Sequence, residues 1–436
     1  MTAEAKNVLI LGAYGLIGSA IARHLARAGH RVTGLGRNPA TAQKVLPNVP
    51  WRIADMAALT SAQDWPAHLS DADVVINCTG ALQDGPQDDL EAVHHHALKA
   101  LSLACAAHDV QLVQISAIGA TLDAATNFMA SKARGDAAIK ASGCHHQILR
   151  PGLVLSDTAY GGTAMLRMLA AVPLIQPLAF ADAPIQTVST TDIARAVEAA
   201  VSGQVPNGFE GDLVEPDARP LAEIIASMRH WLGFAKATKT VAIPPVISRG
   251  MTKCADALSH LGWRSPLRSN AVRVLQGGVT GDPIPWRALG LAPISSLEET
   301  LRAMPARAED RLSARISLVM PMLVATLSLF WLLSGLIGLA QANTAAEVLQ
   351  DVGWPYPLAV LSVVFWAIVD IALGLGILIR KHAPKACWAM IAVSLFYLGA
   401  STLFTPHLWA DPLGPLVKVL PAIALTLVTR ITLETR

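Results

Sequence analysis

The chain has 436 residues, 53% of them hydrophobic and only 15% charged, with 34 Lys and Arg against 32 Asp and Glu. A soluble domain carries roughly 25% charged residues, so part of this chain avoids water. Near-neutral charge without a basic tract excludes a nucleic-acid partner. Five scattered cysteines, Cys78, Cys105, Cys144, Cys254 and Cys387, exclude a disulfide scaffold and a Cys-rich zinc site, and suit a reducing compartment. The first residues, MTAEAKNVLILG, have no basic segment before an apolar core and no cleavage site, so no signal peptide is expected.

Residues 1–150 alternate short apolar runs with amphipathic stretches, the pattern of a doubly wound parallel α/β sheet covered by helices. Val8–Leu11 reads as a buried strand that leads into Gly12-x-x-Gly15-x-x-Gly18. A helix pattern from Leu16 to Ala28 follows, then a second strand, Arg31–Leu35. Glycines between a strand and a helix permit a tight turn and let the backbone approach a pyrophosphate. The free N–H groups of the helix N-terminus then hold it. Gly12, Tyr14, Gly15, Leu16, Ile17 and Gly18 are the candidate phosphate loop.

The end of the second strand discriminates cofactors. An NAD site places Asp or Glu there, on the ribose 2′-OH. This chain reads Gly34-Leu-Gly36-Arg37-Asn38-Pro39, without a carboxylate. Arg37 suits a 2′-phosphate, which favours NADP(H) over NAD(H); a solvated turn residue is the alternative. Trp51–Ile53 reads as a third strand, with Asp55 beyond it placed to accept from an adenine amino group. Val74–Cys78 is a fourth, closing on Asn77-Cys-Thr79-Gly80, where a small turn passes under the cofactor.

With Ser116 after a fifth strand (Gln111–Ile115), Lys132 and Arg150-Pro151-Gly152, these residues resemble the extended and atypical short-chain dehydrogenases/reductases. The resemblance continues through Val188-Ser-Thr-Thr-Asp192-Ile-Ala and Leu289-Gly-Leu-Ala-Pro293, spanning about residues 6–302. Among subfamilies the chain looks closest to the nucleotide-binding accessory subunit of respiratory complex I and its bacterial relatives. The resemblance implies an NAD(P)-binding Rossmann-like domain over residues 1–240 and a small substrate-side region and linker over 241–311. It implies cofactor contacts at Thr79, Gly80, Ser116, Lys132, Pro151 and Gly152.

The family's chemistry uses a Tyr-x-x-x-Lys pair on one helix face. The Tyr transfers the proton, and the Lys lowers its pKa and binds the nicotinamide ribose. Here the stretch reads Asn127-Phe128-Met-Ala-Ser131-Lys132, so Phe128 stands at the tyrosine's position. Ser116 and Lys132 keep their implied roles, but the general acid/base is lost. Tyr160, in a loop after Pro151-Gly152 expected to face the substrate cleft, is the candidate replacement; Asp123 is a weaker one. His94-His95-His96 lies in a helical stretch, where adjacent residues splay about 100° apart, so no metal site is expected.

Four apolar segments close the chain: Ile316–Leu339, Leu358–Ile379, Ala386–Phe404 and Pro412–Thr429. Each approaches the roughly 20 residues that cross a bilayer. Arg307, Arg311 and Arg315, then Arg380, Lys381 and Lys385, then Arg430 and Arg436 flank alternate loops. That asymmetry predicts a multi-pass inner-membrane protein with both termini cytoplasmic. Helix number and hydropathy of residues 312–436 resemble a DoxX-like four-helix membrane domain. Asp370 falls near mid-bilayer, as a proton or quinone headgroup contact or as a structural group in a hydrogen bond or an ion pair with Lys418. Two readings follow. One is a membrane-anchored NADP(H) oxidoreductase acting on a quinone- or isoprenoid-type substrate. The other is a catalytically silent NADP(H)-binding accessory protein of a respiratory membrane complex.

Overall fold

The computed structural model describes residues 4–80, 89–263, 268–412 and 414–433. They fall into two compact units, residues 1–253 with 266–314, and residues 254–265 with 315–436.

The first unit is built on seven parallel strands: β1 (Asn7–Leu11), β2 (Arg31–Gly36), β3 (Trp51–Ile53), β4 (Val74–Asn77), β5 (Gln111–Ile115), β6 (His146–Pro151) and β7 (Phe209–Leu213). Their order is β7-β6-β5-β4-β1-β2-β3. Leu11 pairs with both Leu35 and Asn77, so β1 is central and the winding direction reverses beside it. In such sheets ligands bind at the carboxyl ends of the strands around that reversal.

Continuous apolar runs reflect burial on both faces. Val8 and Ile10 pack with Ile21 and Leu25 of helix α1 (Leu16–Arg27) and with Ile193 and Val197 of the helix Thr190–Val201. Leu9 and Leu11 face the other way, onto Trp65, Leu98, Leu101 and Leu112. A third core, including Leu155, Leu166, Ile224, Met228 and Leu297, holds the substrate-side region. Short strand pairs there include Leu153–Leu155 with Thr187–Ser189 and Ile175–Leu178 with Lys239–Ala242.

Among the described residues three helices are long and apolar enough to cross a membrane: Ala308–Ala340, Tyr356–Gly376 and Ala383–Phe404. The first two approach closely through small residues. A Cβ on Gly335 would lie 2.5 Å from Ala367 O, and one on Gly374 would lie 3.0 Å from Ser328 O. Ser328 Oγ instead donates to Gly374 O at 2.8 Å. Glycines at such crossings let backbones meet where lipid gives no hydrophobic drive.

The fourth predicted span forms a helix only over Val419–Thr432. Pro412, Pro415 and a left-handed Gly414 (φ 58°) turn the chain before it. Its 14 residues span about 21 Å at 1.5 Å each, short of a hydrocarbon core near 30 Å. Pro421 is tolerated because it sits in the first turn, where no N–H bond is lost. Asp370 is buried, but its oxygens accept from Ser334 Oγ and Tyr397 Oη, each at 2.9 Å, while Lys418 is exposed. Of the two structural alternatives, the hydrogen bond is the one found, made by two neutral donors on neighbouring helices.

Candidate functional site: a nucleotide cradle and a buried polar cluster

The glycine loop is shaped by close approach. Gly12 has φ 70°, and a Cβ there would stand 3.1 Å from Cys78 O and Thr79 N. A Cβ on Gly18 would stand 2.4 Å from Gly12 O. Helix α1 therefore begins hard against the loop. Gly15 is its N-cap without a side-chain cap, and its first turn holds no acidic residue. Ser19 N–H is bonded back to Gly15 O, so the N–H groups of Leu16, Ile17 and Gly18 precede the helical ladder. This positive, narrow end fits a pyrophosphate.

On the β2 side, Tyr14 lies across Gly36, where a Cβ would come within 2.3 Å of its ring. Its hydroxyl accepts from Arg37 N–H at 3.3 Å, and its ring is 5.8 Å from that of Trp51. The exposed Arg37 stands at the sheet's carboxyl edge, next to the strand end. Asp55 is exposed after β3, and its Oδ1 accepts from Ala57 N–H at 3.1 Å, capping a short turn. After β4, Asn77 Nδ2 donates to Gln114 Oε1 at 2.8 Å, and Asn77 Oδ1 accepts from Thr79 N–H at 3.0 Å. That Asx turn presents Thr79 and Gly80 beside the glycine loop.

The remaining residues converge beyond β5. Thr126 Oγ1 accepts from Met129 N–H at 3.3 Å and starts helix α2 (Asn127–Ser142). Phe128, Lys132 and Asp136 then recur every four residues on one face. Lys132 is buried, and its Nζ donates to Ile115 O at 3.2 Å. Burial pulls its pKa down, opposed by Asp136 and Cys78. Ser116 Oγ donates to Asp136 Oδ2 at 2.6 Å. Asp136 is 3% exposed, and its Oδ1 has no hydrogen-bond partner among the described residues. Burial pushes its carboxyl up, against the pull of Ser116, Lys132 and Arg150. Arg150 Nε lies 3.6 Å from Asp136 Oδ2.

His94 is the second group that the motif reading missed. A Cβ on Gly135 would lie 2.0 Å from His94 O, so this glycine lets α2 press onto the turn Ala92–His96. His94 is buried, its Nδ1 2.9 Å from Ser131 Oγ and its ring edge-on to Phe128 at 5.6 Å. Ser131 gives its own proton to Phe128 O at 3.0 Å, which assigns the hydrogen of the other bond to His94 Nδ1. A Cβ on Gly80 would be 3.5 Å from His94 Nε2 and 3.9 Å from Lys132 Nζ. Burial and Lys132 push the imidazole pKa down to about 3, so His94 is neutral.

The other two histidines depart from expectation. Residues Ala92–His96 form a π turn, and the rings of His95 and His96 stack at 4.9 Å. With Glu91 they bring three candidate ligand atoms within 4.8 Å of one another. The wider turn overrides the splay of an α-helix. Arg134 nevertheless holds both oxygens of Glu91, with Nη2 at 2.6 Å, so the carboxylate is already engaged by a cation.

Pro151 ends β6. A Cβ on Gly152 would stand 2.6 Å from Gln186 O, so this glycine serves a backbone crossing. Tyr160 is the N-cap of the helix Gly161–Ala170 and is 42% exposed.

Comparison with known proteins agrees with both units. Residues 12–202 match a family model described as NAD(P)H-binding, and residues 328–427 match the DoxX-like family. A ceramide reductase of Caulobacter vibrioides is 23% identical over 267 residues, covering 60% of this chain and 81% of the relative. Among solved structures, an NADPH-dependent quinone oxidoreductase of Escherichia coli, complexed with NADPH, has a TM-score of 0.52 at 18% identity and covers 68% of this chain and 99% of its own. The Bordetella bronchiseptica enzyme WbmH, in complex with NAD+, has a TM-score of 0.51 at 17% identity, with 69% and 97% covered. These likenesses establish the fold.

Proposed function

From a chain that joins an NAD(P)-binding domain of the short-chain dehydrogenase/reductase type to a DoxX-like membrane domain, we propose a membrane-anchored, NADPH-preferring reductase of a lipophilic substrate. The observation that carries this reading is the buried set of Ser116, Asp136 and Lys132, the last of which lies beside the Phe128 ring. Burying an ammonium and a carboxyl costs several kcal/mol each unless they are well paired, and Asp136 keeps an unsatisfied oxygen. Perturbed buried acids and bases of this kind concentrate at reacting sites. The bound nicotinamide would supply or accept hydride, and Lys132, at the sequence position of the family's lysine, would hold the nicotinamide ribose.

Phe128 has no proton to give, so the substrate oxygen takes one from Ser116 Oγ. Asp136, whose burial favours the protonated form, refills Ser116 through the existing hydrogen bond. In that state the bond reverses: the carboxyl donates, and the serine hydroxyl turns to the substrate. Solvent restores the carboxyl proton between turnovers. The ceramide reductase relative and the apolar helices both favour a lipid carbonyl or a quinone over a soluble ketone.

A second reading is favoured by Phe128 itself: a catalytically silent NADP(H)-binding protein of a membrane complex. One assay separates them. Purified protein in nanodiscs is given NADPH with a short-chain ceramide, its keto analogue, a short-tailed quinone and a soluble ketone. Oxidation of NADPH with a lipophilic acceptor supports the reductase. Tight NADPH binding with no turnover of any acceptor supports the silent protein.

A further inference from the structure

Helix Pro245–His260 turns its apolar side outward. At about 100° per residue, Val246, Ile247, Met251, Cys254 and Leu258 share one arc of its surface. Val246, Ile247 and Met251 are 76%, 55% and 43% exposed, whereas Ser248, Thr252 and Ser259, on the opposite side, are half-buried. In a helix packed for solution the apolar arc would be the covered one. Arg249 and Lys253, both exposed, flank that arc.

The end of the helix, from Cys254, belongs to the second unit and leads into boundary features of that unit. Trp263 Nε1 donates to Leu378 O at 2.6 Å, and Arg380 N–H donates to Leu261 O at 2.9 Å. The Arg380 guanidinium lies 5.5 Å from the Trp263 ring centre. Leu378 and Arg380 belong to the turn between the helices Tyr356–Gly376 and Ala383–Phe404, a turn that also carries Lys381 and is followed by Lys385. A tryptophan and clustered basic residues at the end of an apolar helix mark the boundary between hydrocarbon and water.

We propose that helix Pro245–His260 lies in the bilayer interface, with Val246, Ile247 and Met251 in the acyl boundary and Arg249 and Lys253 against anionic headgroups. Amphipathic helices of this composition bind through apolar burial together with attraction to anionic lipid. The inference stands whether or not the protein turns over a substrate.

Cys254 sits on the apolar arc and is exposed, while Cys78 is partly buried and Cys105, Cys144 and Cys387 are buried, so it takes an environment-sensitive fluorophore selectively. The full chain is labelled at Cys254 and reconstituted in phosphatidylglycerol-containing nanodiscs. A companion protein carries the label on Thr252→Cys in a Cys254→Ser background, on the opposite face. The expected result is blue-shifted emission at Cys254 that doxyl-labelled lipid quenches, with red, unquenched emission at position 252. Exchange of phosphatidylglycerol for phosphatidylcholine should weaken the quench, as should Arg249→Glu with Lys253→Glu. Equal, unquenched emission at both positions would overturn the proposal. A blue-shifted Cys254 probe that doxyl lipid does not quench would also overturn it, by showing a second copy or another protein on this face.

Discussion

The Lys132 ammonium lies 5.8 Å from the centre of the Phe128 ring, one helical turn away and above a buried carboxyl. A phenol in place of that phenyl ring would have the lysine one turn away on the same helix face. Phe128→Tyr is therefore expected to give measurable reduction of simple ketones where the natural protein shows little. The gain stays modest, because a misplacement of about an ångström costs roughly a hundredfold. NADPH consumption by the two proteins, with Lys132→Met in the Tyr background as the control, checks this. Undiminished ketone reduction in that control would remove the lysine from the explanation.

Asp136→Asn tests the proton route. The amide keeps a hydrogen bond with Ser116 but cannot pass a proton, and losing a positioned acid typically removes about 10²–10⁴-fold of rate. NADPH affinity should be unchanged. The protonated form is the active one, and burial raises its pKa, so natural turnover should decline as pH rises through that raised value. The variant should lose this limb of the profile. A proportionate loss of rate at every pH would indicate a strut to Arg150 instead.

The parallel sheet, glycine loop, and positions of Ser116 and Lys132 were legible because each depends on local pattern: apolar runs, a strand–turn–helix junction, and fixed spacing on one helix. Asp136 and His94 escaped that reading. Asp136 owes its importance to Ser116, 20 residues away, and to its depth. His94 owes its position to a glycine on another helix that admits the backbone at His94 O. Neither fact has a signature along the chain. The stacking of His95 on His96 was hidden by the α-helical spacing assumed for a segment that folds as a π turn. Three of the four expected membrane helices were legible by hydropathy, but Asp370's partners were not, because Ser334 and Tyr397 carry no charge to attract notice.

His94 makes the first unit acid-sensitive. Its folded pKa, about 3, lies below the ordinary value of 6.5. The stability tied to its neutral form is thus complete above pH 6.5 and is lost as pH falls towards 3, at about 1.4 kcal/mol per unit. His94→Asn cannot take up that proton. Its thermal midpoint should fall less than that of the natural protein between pH 6.5 and pH 5. Parallel curves would show that burial and Lys132, against the opposing pull of Glu91, do not hold the ring neutral.

Asp370 ties together three segments through Ser334 and Tyr397. Tyr397→Phe removes one donor to a buried carboxyl and should cost about 1–3 kcal/mol. Asp370→Asn should cost less, because the amide retains an acceptor for one hydroxyl. Thermal inactivation in nanodiscs, ranked for the two variants, checks the order. A reversed order would mean that the charge, and not the hydrogen bonds, matters to the helical unit.

The proposed preference for NADPH is tested at the end of β2. Arg37 follows Gly36 directly, and its backbone N–H is held by Tyr14 Oη. The side chain thus springs from a fixed point at the site's adenosine side, where a 2′-phosphate would meet it. A charge-assisted bond of this kind contributes about 1.5–3 kcal/mol, or roughly ten- to a hundredfold in affinity. Arg37→Asp should lose that much NADPH affinity and gain NADH affinity, since its carboxylate repels the phosphate and accepts from a free 2′-hydroxyl. Tyr14→Phe should behave differently: loosening the turn ought to weaken both cofactors alike. Fluorescence titration of the natural protein and both variants with each cofactor decides the matter. If the natural protein binds NADH and NADPH equally and Arg37→Asp changes neither, Arg37 is a solvated turn residue and the preference for NADPH falls with it.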